Sequence, residues 1–131
     1  MSSNDHAWRS PRLSTSADAA VRSYRNGIAA LIAGAPHAEA ALERALAVDP
    51  DFALARVGLA AARFAHGDPF APSPVGTLPM TRAERHHVEI VEALCRDDRY
   101  HAADLRREHL LEYPADLLVV WAPNLYRRSV G

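Results

Sequence analysis

The stretch Ala38-Glu39-Ala40-Ala41-Leu42-Glu43-Arg44-Ala45-Leu46-Ala47-Val48-Asp49-Pro50-Asp51 decides the fold. Ala38, Ala41, Leu42, Ala45 and Leu46 recur at steps of three and four, the period of one helix face, and Val48 extends the stripe. Ala and Leu also lose little conformational freedom in a helix. Pro50 then disfavours helical geometry at Asp49, so the helix ends there.

Helical patterning continues on both sides. Upstream, Val21, Tyr24, Ile28 and Leu31 follow the same spacing, with Ser16 or Asp18 as the expected N-cap and Gly34-Ala35-Pro36 as the stop. Downstream, a third helix is expected over 52–66, stopped by Gly67-Asp68-Pro69. Gly58 inside it costs about 1 kcal/mol of helix propensity relative to Ala, so a close helix crossing is expected there. Pro72, Pro74, Gly76 and Pro79 exclude a regular helix over 70–80. Thr81-Arg82-Ala83-Glu84 has the spacing of a capping box and opens a fourth helix, Arg82–Cys95, with Val88, Val91, Ala93 and Leu94 as its apolar content. Asp97-Asp98 marks a turn. A fifth helix is expected over 100–113 through Ala102, Ala103, Leu105, Leu110 and Leu111, ended by Pro114. A sixth begins at Leu117 and is broken by Pro123. The polar residues 1–16, with Trp8 as their one large apolar group, read as a flexible leader, and 17–131 as one helical domain with a Pro-rich loop at 69–80.

Two of these segments share a detail. Ala38 and Ala102 each stand twelve residues before a terminating proline, Pro50 and Pro114. That is the second helix of a tetratricopeptide repeat: a small residue at the helix crossing, then a terminal Pro. Leu59-Ala60 followed by Gly67-Asp68 fits the first helix and turn of a following repeat. The expected architecture is therefore all-α, antiparallel helical hairpins of tetratricopeptide type in an α-α superhelix of about five helices.

Leu13-Ser14-Thr15-Ser16, the segment 38–67, Thr81-Arg82-Ala83-Glu84-Arg85-His86-His87 and the segment 104–118 together resemble the start of the tetratricopeptide repeat protein 38 family, over about residues 12–126. The resemblance implies a helical solenoid that binds or scaffolds and has no well-defined enzymatic activity. Two departures stand out. The segment 69–79 replaces the second helix of the middle repeat, and Ala122-Pro123-Asn124-Leu125-Tyr126 stands where the family carries an Ala-His-Asp-x-Tyr-like segment. Family members are several times longer, so the chain reads as a short or truncated version.

Composition narrows the function classes. The 131 residues suffice for one compact core. A net charge of −1 and pI near 6.6, with Arg106-Arg107 and Arg127-Arg128 as the only basic doublets, give no nucleic-acid footprint. No apolar run approaches the ~20 residues that span a bilayer, and no signal-peptide core precedes the first helix. The single cysteine, Cys95, excludes an internal disulfide. A cytoplasmic location is expected.

His86, His87, Glu89 and Glu92, with His101 and His109 further on, raise the question of a metal site. Ligands on one helix must stand at i and i+3 or i+4. His86 and Glu89 do, but no second His joins them, and adjacent His86 and His87 diverge by about 100° around the helix. Solvated or capping histidines are the ordinary reading, with no metal and no cofactor. Cys95 falls at the C-terminal end of its helix, where the dipole opposes a thiolate, so it reads as a structural thiol. No Gly-rich phosphate loop or nucleophile elbow is present.

What remains is the inner surface of the hairpins. Tyr24, Ile28, Val57, Ala61, Phe64, His87, Val91 and Leu94 project onto the first helices' inner faces, and are the expected concave-face binding set. The competing reading packs them against neighbouring helices, since periodic apolar residues usually form core. The functional expectation is a non-enzymatic interaction or scaffold module whose partner is a protein, a peptide or a second copy of itself. The alternatives are a truncated relic without independent activity and a small-molecule-binding helical domain.

Overall fold

A computed structural model describes residues 13–15, 17–72, 74–96 and 98–125. The chain is all-α, a series of helical hairpins: α1 (Asp18–Ala33), α2 (Ala38–Val48), α3 (Ala53–Ala65), α4 (Arg82–Cys95), α5 (Arg99–Glu112) and α6 (Leu117–Trp121), followed by one further turn at 123–125. Consecutive helices pack on each other, and α1 also touches α3 and α6, while α4 touches α6. No described helix is long and apolar enough to cross a membrane.

The expected punctuation sets the helix ends. Gly34 closes α1 in the left-handed conformation at φ 72°, with the Ala35 amide donating back to Ala30 at 2.8 Å. Gly67 does the same after α3 at φ 104°, with the Asp68 amide reaching Arg63 at 3.1 Å. The capping box forms in full: the Glu84 amide donates to Thr81 Oγ1 at 3.1 Å, and the Thr81 amide to Glu84 Oε1 at 2.8 Å. Asp98 caps α5 through the His101 amide. The cap of α1 differs from expectation. Its N-cap is Ala17, which has no side chain to offer, and Asp18 is the first helical residue, where its charge complements the dipole.

Small residues draw the first three helices together. Leu42 of α2 is fully buried between Gly27 of α1 and Gly58 of α3. A Cβ on Gly58 would lie 3.3 Å from both Ile28 Cδ1 and Leu42 Cδ2, which is the close crossing expected of that glycine. Ala38 and Ala102, at the repeat positions, are each 1% exposed. Other expected core positions are outside it: Val48 at the end of α2 faces solvent, and so do Ala103 and Leu111, the latter at 83% exposure, because α5 buries only Ala102 and His109.

The described residues of the Pro-rich segment carry no helix, so the middle hairpin lacks its second member and α4 packs directly on α3. The segment is nonetheless tied down. Arg56 of α3 donates to the carbonyls of Pro50 and Pro74 at 2.9 and 2.8 Å, Val75 is buried, and Phe70 meets Phe64 edge-on at 6.3 Å. Of the expected leader, 13–15 lie against the body. The Ser14 amide and hydroxyl donate to Glu84 Oε2 at 3.0 and 3.2 Å, and Leu13 packs on the core. Trp8, Ser16, Asp97, Tyr126 and the Arg127-Arg128 doublet lie outside the described residues.

Pro123 breaks α6 as expected. Arg106 of α5 then satisfies the freed carbonyls of the short helix, donating to Val119 at 3.0 Å and Val120 at 2.9 Å.

Candidate functional site

Helix packing determines the fate of the expected concave face. Val57, Ala61, His87 and Val91 are each fully buried, Leu94 is 6% exposed, and Phe64 is half-buried against Phe70. They are buried among the packed helices and do not line an open groove, with α3 and α4 packed on each other. Tyr24 and Ile28 of that set line a cleft.

That cleft has a volume of about 210 Å³ and lies between α1, Leu54 of α3 and the turn into α6. Its walls are apolar, from Leu13, Tyr24, Ile28, Leu54 and Leu118, while exposed Arg25 and Ala29 stand among its lining residues on α1. Tyr24 is held from behind by Phe52, ring centroids 5.2 Å apart. Asp116, the N-cap residue of α6, is its one acidic lining residue.

Asp116 belongs to a buried cluster that spacing alone did not suggest. His87 of α4 donates from Nδ1 to Asp116 Oδ2 at 2.8 Å, and His109 of α5 donates from Nε2 to the same oxygen at 2.7 Å. An ionised carboxylate only accepts, so each ring must carry its proton on the nitrogen that faces it. His87 Nε2 and His109 Nδ1, both buried, have no hydrogen-bond partner among the described residues. Burial pushes the Asp116 carboxyl upward, but the charge of His87 and the hydrogen bonds from both imidazoles outweigh it and hold the group well below the usual carboxylate range.

The polarity extends toward α1. Tyr24 is pushed well above its ordinary value, first by burial and then by the negative charges of Asp116 and Glu84, with Arg25 opposing them. Glu84 is fully buried and its two oxygens accept from Thr81 and Ser14.

The other candidate side chains are placed apart. His101 pairs with Glu89 at 3.2 Å on the surface, and Glu92 with Arg96 at 3.9 Å. His86 lies edge-on to His109 at 6.3 Å. Among the described residues, no group of three or more His, Cys, Asp or Glu side chains is placed to hold a metal ion. Burial pushes the Cys95 thiol up to about 12, with Arg96 opposing and Glu92 adding. A shallower recess of about 530 Å³ opens between the Pro-rich segment and α4, lined by residues of both charges, Arg85, Glu89, Glu92 and Arg96.

His87 and His109 are thus core residues, not the solvated or capping histidines expected. The pair is separated by 22 positions, and only the packing of α4, α5 and the α6 cap brings them to one oxygen. The available signal was Asp116 itself, an acid at the position after Pro114-Ala115 where a helix needs a cap. No protein-family model matches the chain, and no characterised protein or solved structure was found to match it.

Proposed function

We propose that this chain is a non-enzymatic interaction module, a short stack of tetratricopeptide-type hairpins that receives a segment of another polypeptide in the cleft beside α1. The observation that carries the proposal is the cleft itself: apolar walls on three elements, one buried acid, and Arg25 and Leu117 exposed among the residues around it. Small-molecule sites usually enclose ~300–1,000 Å³. A cleft of about 210 Å³ fits one side chain better than a cofactor. The repeat-like spacing of Ala38 to Pro50 and Ala102 to Pro114 supports the same class.

The side chains most suited to chemistry are committed elsewhere. Both buried imidazoles spend a ring N–H on one carboxylate oxygen, and the Cys95 thiol is held protonated by its surroundings. The test is peptide-display selection on the full chain, run in parallel on Ala29→Trp, which fills the cleft from an exposed position. Sequences enriched on the first and absent from the second support the proposal. Enrichment of nothing, or of the same sequences on both, would overturn it.

A further inference from the structure

The cleft's floor specifies more than an apolar occupant. Asp116 is 6% exposed, lines the cleft, and offers Oδ2 to both imidazoles. Among the described residues no hydrogen bond reaches its Oδ1. Oδ1 is not among the buried atoms that lack a partner, so it is the carboxylate oxygen open to the cleft, where a donor from a bound chain can replace water. At Tyr24 the negative influences of Asp116 and Glu84 each exceed the positive influence of Arg25.

A cation on an apolar stem meets both demands. Two side chains have that form, and the geometry separates them. A guanidinium binds a carboxylate best through two parallel bonds to both oxygens. Asp116 Oδ2 already accepts two N–H groups, so only Oδ1 is open. A point-like ammonium needs one oxygen, and its four-carbon stem would lie along Tyr24, Ile28, Leu54 and Leu118. We infer that the cleft receives a lysine side chain of a partner polypeptide, with the ammonium donating to Asp116 Oδ1 and Arg25 facing an acidic neighbour of that lysine. The inference rests on reading the chain as an interaction module. The chain contains no lysine, so a second copy of it cannot supply the group.

The experiment titrates the isotopically labelled full chain with a blocked pentapeptide bearing one central lysine flanked by glutamates, followed by amide NMR shifts. Two further peptides carry norleucine or arginine at the centre. The lysine peptide should shift Tyr24, Ala115 and Leu118, and norleucine should weaken binding by about tenfold, the scale of one charge-assisted hydrogen bond. Asp116→Asn keeps a carbonyl oxygen for the two imidazoles and removes the charge, so it should lose that preference. Ala29→Trp should lose binding of every peptide. Norleucine or arginine binding as tightly as lysine would overturn the lysine inference while leaving the interaction reading standing. Absence of shifts at the cleft with all three peptides would also overturn it, and the interaction reading falls only if display selection fails as well.

Discussion

Leu42 occupies the space that Gly27 leaves empty: a Cβ on Gly27 would lie 2.6 Å from Leu42 Cγ, closer than real side chains approach. Leu42 is fully buried and cannot swing away. Gly27→Ala should therefore destabilise the fold by about 2–3 kcal/mol in urea denaturation, despite Ala's better helix propensity. Gly58→Ala meets its neighbours only at 3.3 Å and should cost about 1 kcal/mol or less. Adding Leu42→Ala to Gly27→Ala should cost less than the sum of the two, since the clash is relieved.

The shared acceptor of His87 and His109 gives a second expectation. Asp116→Ala strands two buried N–H donors and should cost about 3–5 kcal/mol by chemical denaturation. Asp116→Asn leaves an acceptor in place and should cost about half as much. Equal losses for the two variants would mean that the negative charge, which both remove, and not the acceptor that Asn retains, is what Asp116 supplies.

Acid should expose the same group. The folded Asp116 titrates below its ordinary 3.8, so the unfolded chain takes up that proton first as pH falls. Its contribution is fully present above the unfolded value and is lost as pH drops below about 4 toward the folded one. The stability gap between the wild-type chain and Asp116→Asn should hold steady at higher pH and narrow below about 4 in urea titrations.

Cys95 should resist modification. With its thiol pushed up to about 12, the thiolate fraction at pH 8 is minute. Alkylation by iodoacetamide at pH 8 should run at least about a hundredfold slower in the native chain than in urea. Comparable rates would show that Cys95 is neither buried nor desolvated in solution.

These sites differ in how far the residues alone reveal them. Gly34, Pro50, Gly67, Thr81 with Glu84, and Pro114 act within one turn of the chain, so the helix ends they set were legible from spacing. Gly58 announced its crossing because a mid-helix glycine is costly without one. The burial of most of the expected concave-face set has a nonlocal reason. Projecting each helix in isolation shows which residues share a stripe, but not which other helix covers it. His87 and His109 reached Asp116 by the same packing, and a histidine at an inward position gives no sign of its partner.

The contact between α6 and α1 has a consequence for how the molecule comes apart. A linear hairpin array touches only its nearest neighbours and can fray inward from a free end, each unit melting on its own terms. Joining the first helix to the last turns that line into a ring, and Ser14 on Glu84 adds a second long-distance clasp. Opening any one hairpin then disturbs the closure as well, which binds the units into a single cooperative transition. The same closure spans most of the chain, so it carries a larger loop-closure entropy than any hairpin between neighbouring helices.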